Sequence, residues 1–270
     1  ADLSEGLARI LADAEAGQAN GYGLPPEYAA GFGAFLASGR GNSLVAAKGQ
    51  VTGPVSWGLS VTDQERRPLL YDETLALAIA QMLRLQAAWQ ERALRAVCPR
   101  AIIFVDEPYL SAFGSAFVAL SREQATSLIT ATLEGISGLR GVHCCGNTDW
   151  SLLLETPIDI LSFDSYSYAQ SLSLYPEAVS DFLGRGGVIA WGVVPNEPEA
   201  LARESAGSLL ARLEAAMGLL VAKGLDMARL RAQCLITPAC GLASLTPEQA
   251  ERALSLTAAV SHAFRQKFGV

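Results

Sequence analysis

The chain has 270 residues, half of them hydrophobic and only 17% charged, a composition that supports a sizeable buried core. Its net charge of −7, with lysine and arginine scattered among acids, excludes a nucleic-acid partner held by a basic stripe, and no stretch reaches the roughly 18–20 apolar residues of a membrane span. The opening residues lack a signal-peptide layout, and five cysteines, two of them adjacent, do not form a secreted disulfide framework, so a cytoplasmic protein with reduced thiols is expected.

Taken in chain order, short runs rich in β-branched residues at 44–51, 101–106, 141–145, 159–164, 187–194 and 234–238 predict six strands. Segments of helical period lie between them. Residues 74–97 are rich in alanine and leucine, Ser121-Arg-Glu-Gln124 has the form of a capping box, and 205–223 continues the series. Thr246-Pro-Glu-Gln249 opens the last helix with proline at its favoured first position. The glycine-rich stretches 39–42 and 184–187 read as turns. No dinucleotide fingerprint follows the first strand, so this α/β alternation predicts a TIM-like (β/α)8 barrel, a fold of about 250 residues, as one domain over 1–270. Two strands are short of eight. They fall in 17–24, too rich in glycine to assign, or before Ala1, where the sequence opens without methionine and the barrel's first strand would be missing from this chain.

Val142-His-Cys-Cys-Gly-Asn147 sits where the third strand ends. Side chains alternate along a strand, so His143 and Cys145 point one way and Cys144 the other. Cys240, in Pro238-Ala-Cys-Gly-Leu242, ends another strand and supplies a third soft ligand; an imidazole and two thiolates with a fourth position open describe a catalytic Zn2+ site. Cys98, Cys144 and Cys234 read as core residues. Asp106 and Glu107, ending the second strand, are candidates for a substrate ammonium; alternatively Asp106 caps a loop and Glu107 is solvated. Asp164, ending the fourth strand, is open to three readings: a weak metal ligand, a partner orienting His143, or a loop cap. Gln50, before Thr52-Gly-Pro54, is placed to line a substrate pocket, and Trp57, Trp150, Trp191 and Tyr166 read as core or rim aromatics.

These motifs carry a resemblance covering most of the chain from Lys48 onward. Lys48-Gly-Gln-Val-Thr-Gly-Pro54, Val105-Asp-Glu-Pro108, His143-Cys-Cys145 and Pro238-Ala-Cys-Gly-Leu242 resemble segments of the cobalamin-independent methionine synthases, within the superfamily that also holds uroporphyrinogen decarboxylase and the coenzyme M methyltransferases. The resemblance implies zinc on His143, Cys145 and Cys240, and the amino group of homocysteine on Asp106. Asp164 falls where the family places a glutamate ligand, and its shorter side chain is a departure. The implied activity is zinc-dependent methylation of homocysteine to methionine. Room for one barrel, and Trp57 falling too early for the family's folate-stacking tryptophan, resemble the short "core" synthases, implying methylcobalamin, free or on a corrinoid protein, as donor. Tyr109, Phe113, Tyr166 and Tyr168 would then supply a docking rim. Coenzyme M or another small thiol is the alternative acceptor, although a sulfonate calls for lysine or arginine where this chain has a carboxylate pair. A decarboxylase-like or non-catalytic zinc barrel is the remaining alternative.

Overall fold

The computed structural model describes residues 4–39, 43–115 and 118–269. Contacts divide the chain into two compact units, Ala1–Val142 with Thr156–Ile158, and His143–Glu155 with Asp159–Val270.

In the first unit, helices α1 (Ser4–Glu15) and α2 (Ala30–Gly39) precede strand β1 (Ala47–Thr52). The expected strand at 44–51 starts late because its ladder does: Ala47 N–H donates to Arg100 O at 2.9 Å, and β1 then runs parallel to β2 (Ala101–Asp106), with Gln50 opposite Phe104 and Thr52 opposite Asp106. Residues 17–24 hold no strand. Gly17 and Gly21 sit at φ 64° and 95°, left-handed conformations that turn the chain after α1 and cannot join an extended ladder. Helices α3 (Pro54–Ser60), α4 (Glu73–Arg95) and α5 (Arg122–Leu133) follow. Asp72 caps α4 by accepting from Leu75 N–H, and the capping box of Ser121 and Gln124 opens α5 as expected. The turn expected at 39–42 has only Gly39, the end of α2, within the described residues.

Strand β3 (Leu139–Cys144) is followed in the second unit by α6 (Trp150–Glu155), β4 (Ile160–Phe163), α7 (Ser165–Leu172), α8 (Pro176–Gly184) and β5 (Val188–Val194). Then come α9 (Pro198–Arg203), α10 (Ala206–Val221), α11 (Met227–Ala232), β6 (Cys234–Pro238) and α12 (Pro247–Phe268). Capping boxes at Ser205 and Thr246 start α10 and α12. Strands β4, β5 and β6 pair in parallel, Phe163 opposite Trp191 and Trp191 opposite Ile236. Phe163 packs its ring 5.4 Å from Trp150 and 5.5 Å from Trp191, and all three are fully buried, which makes Trp150 and Trp191 core residues. The architecture is α/β with six strands among the described residues, so the expected set of eight is not reached. None of the described helices is long and apolar enough to cross a membrane.

One buried carboxylate ties β2 to α3. Glu107 has no solvent exposure; its oxygens accept from Val55 N–H at 2.9 Å, Ser56 N–H at 2.8 Å and the Ser56 hydroxyl at 2.7 Å. The two N–H groups are donors that a helix start leaves without intrahelical partners. Gly53 permits the approach, since a Cβ there would lie 2.2 Å from the Glu107 carboxyl carbon. Burial raises the Glu107 pKa from 4.5 to about 7, outweighing the three donated hydrogen bonds, which act downward. Between those two values the folded protein keeps a proton that the unfolded chain has lost. The stability from the protonated group is therefore complete below the unfolded value and is lost as pH climbs through the folded one, at most roughly 3 kcal/mol. Urea unfolding across this window should show wild type losing stability relative to Glu107→Gln as pH rises, and parallel profiles would refute the assignment.

Candidate metal centre

The ends of two strands, β3 and β6, supply the donors of the site. His143 lies one residue from the end of β3, Cys145 follows it directly, and Cys240 follows β6. Alternation along β3 sorts the thiols as expected: Cys144 is buried and directs its sulfur to the Gly146 carbonyl at 3.6 Å, while Cys145 turns with His143. Cys240 is held close by the backbone before it, where Ala239 N–H continues the ladder to Val194 O at 2.8 Å. Gly192 of β5 makes room for that segment, because a Cβ there would lie 2.8 Å from Ala239 Cα.

One donor atom from each of His143, Cys145 and Cys240 lies within 4.8 Å of the other two. A tetrahedral zinc with sulfur ligands near 2.3 Å sets its donors roughly 3.5–3.8 Å apart, so the trio needs only a small contraction to close on an ion. The imidazole is already aimed. Its Nδ1 lies 3.0 Å from the Ser162 hydroxyl of β4, whereas its Nε2 is buried with no hydrogen-bond partner. A buried polar atom left without a partner is costly, and a cation bound through Nε2 would satisfy it. The thiols are unequal. The Cys145 thiol, donating to Cys240, and the neighbouring His143 ring hold the Cys240 thiol well below the ordinary cysteine range, and Cys145 is pushed up. The set is thus poised with one thiolate and an imidazole, a soft donor combination that fits zinc.

Asp164 does not join the trio of donors. It caps α7, accepting from Ser167 N–H at 2.9 Å, and its burial raises its pKa, an effect strengthened by the Cys240 thiolate. The residue bonded to His143 is Ser162, which sequence reasoning passed over. Its only signal was a hydroxyl inside the apolar run Ile160-Leu-Ser-Phe163, on the same strand face as Asp164. Cys98 is buried and donates to Leu44 O at 3.4 Å, and Cys234 is partly buried, away from the trio.

In the first unit, Asp106 ends β2, half-buried, its backbone carbonyl accepting from Gly53 N–H at 2.7 Å. Gln50 is exposed on β1 and accepts from Lys48 Nζ at 2.6 Å. Lys48 keeps solvent contact, yet crowding by protein lowers its pKa, with the Asp106 carboxylate acting in the opposite direction. Glu107 is not solvated, the alternative read for it from the sequence: its carboxylate is sealed against α3. Trp57 is half-buried in α3.

No family model matches the chain, and no curated protein matches it in sequence. Solved structures do match. A B12-independent methionine synthase from Shewanella sp. W3-18-1, in complex with selenomethionine, superposes at TM-score 0.57 and 18% identity, covering 86% of this chain and 67% of that one. A protein assigned as a vitamin-B12 independent methionine synthase from Listeria monocytogenes superposes at TM-score 0.54 and 19% identity, covering 83% and 64%. The fold is that of the B12-independent methionine synthases. The chain spans about two thirds of the length of these two structures. The family resembled by the motifs is therefore the one whose architecture the chain shares.

Proposed function

We propose that this protein is a zinc-dependent methyltransferase that methylates the thiol of homocysteine to give methionine. The observation that carries the reading is the buried, unpartnered Nε2 of His143 facing two thiols, one of them already favouring the thiolate. The bound selenomethionine of the Shewanella protein, a selenium counterpart of methionine, supports a methionine-forming reaction here. Zinc, when bound, supplies the positive charge that keeps a substrate thiol deprotonated near neutral pH. His143, Cys145 and Cys240 would hold it, with two thiolates leaving the substrate sulfur electron-rich. That sulfur attacks the methyl carbon; the new S–C bond forms as the donor–methyl bond breaks, its electron pair leaving with the donor. Asp106 is assigned to the substrate ammonium and Gln50 to the substrate pocket on the motif resemblance. Asp164 is assigned to shaping the loop after β4, and Glu107 to support of α3.

The purified chain should bind about one zinc, lost together with activity in Cys145→Ala and Cys240→Ala but retained in Cys144→Ala, as read by metal analysis; equal zinc loss in all three would overturn the ligand assignment. Ser162 should matter without touching the ion. A partner that fixes a ligating imidazole is typically worth 10–100-fold in metal affinity. Ser162→Ala should weaken zinc by about that factor in chelator competition, and Ser162→Thr, which keeps the hydroxyl, should restore it; an unchanged affinity in Ser162→Ala would remove Ser162 from the site.

For the donor we propose a methylcorrinoid, on the placement of Trp57 within α3, too early for the family's folate-stacking tryptophan. The names of the two matched structures point instead to a donor other than B12. Homocysteine methylation assayed side by side with methylcobalamin and methyltetrahydrofolate should run faster with the corrinoid. Faster turnover with the folate would overturn the donor and leave the acceptor chemistry standing.

A further inference from the structure

A pair of cationic side chains lies in the second unit, around the start of β6. Arg231 and Cys234 there, with Ser261, Phe264 and Arg265 of α12, line a cavity of about 270 Å³. Ser261, Phe264, Arg265 and Phe268 follow the i, i+3, i+4, i+7 spacing of one helix face. The Arg231 guanidinium lies 3.7 Å from the centroid of the Phe268 ring, a stacking that fixes its plane, and its Nε–H is buried with no hydrogen-bond partner. No acid lines the cavity, and neither arginine has a carboxylate partner among the described residues. The nearby Lys267, by contrast, is paired with Glu214 at 2.6 Å. In a chain of net charge −7, two arginines facing one acid-free cavity run against the composition.

We propose that this cavity is an anion site that takes a phosphate group, held between Arg231 and Arg265 with the Ser261 hydroxyl as a further donor. Two fixed positive charges match the −1.5 to −2 of a phosphate near neutral pH, whereas a monocarboxylate leaves one charge unbalanced. The planar donor fork of arginine suits phosphate oxygens, and the orphaned Nε–H gains the acceptor it lacks. Cys234 does not oppose the anion, because burial pushes its thiol up to about 12 and keeps it neutral. The cavity falls just below the roughly 300–1,000 Å³ of drug-sized pockets, which suits free phosphate or a small phosphate ester over the apolar floor of Phe264 and Ile236.

The test is calorimetric titration of the full chain with inorganic phosphate at low salt and neutral pH. One saturable site is expected, weakened tenfold or more in Arg265→Met, a substitution at an exposed position. Arg231→Met should abolish it, and because that change also removes the Phe268 stacking, unfolding midpoints are to be read alongside. Glycerol phosphate titrated in parallel separates the sources: tighter binding than inorganic phosphate marks an ester using the apolar floor, weaker binding marks free phosphate, and both support the site. Absence of saturable binding at millimolar phosphate, or affinity unchanged in both Arg265→Met and Ser261→Ala, overturns the proposal.

Discussion

Much of the second unit turns on one imidazole. His143 is fastened through Nδ1 to a serine on the next strand, which leaves Nε2 buried, without a partner and close to two sulfurs. Protein interiors rarely leave such an atom unsatisfied, and water is a poor remedy where two of the neighbouring atoms are thiol sulfurs. A soft cation answers the orphaned nitrogen and the thiolate together. The unequal acidities of Cys145 and Cys240 belong to the same constraint, since two thiols at this distance share protons before they share a metal.

The same physical rule explains what sequence reasoning could and could not see. Alternation along a strand separates Cys144 from its neighbours without any knowledge of the fold, and the sulfur of Cys144 does turn away to Gly146. Capping boxes at Ser121 and Thr246 are equally local, so they too were legible, as was β2 with both its ends. Long-range partners were not. Ser162 acquires its role only when β4 brings it beside a residue 19 positions earlier, and nothing in an apolar tetrapeptide announces that. Glu107 reads as a surface acid at a strand end until Ser56, 51 residues before it, supplies two donors. The glycines at 17 and 21 misled in the other direction, because their positive φ values build a turn where a strand had room to be.

Fold likeness at 18–19% identity carries architecture and little more. What links this chain to a chemistry is the coincidence of two independent observations. The motifs at His143 and Pro238 were singled out by residue type and spacing, and the fold then gathers their donor atoms within 4.8 Å from strands 90 residues and more apart in sequence. Buried cysteines filling a core have no reason to converge with the free nitrogen of a histidine.

Placement on strand ends also gives the site its stiffness. His143 stands on β3, and Cys240 follows a ladder bond to Val194 that Gly192 allows to form at close range. A ligand set anchored this way loses little freedom when an ion arrives, in contrast to one gathered from mobile loops. The stiffness has a chemical use. In the function proposed, three protein donors held near their final positions would leave a fourth position free for a substrate sulfur, and a fourth protein ligand would have to be displaced before that sulfur could bind. Asp164, capping α7 and standing outside the trio, fits this division of labour: its carboxylate shapes the loop after β4 and leaves the open position unclaimed.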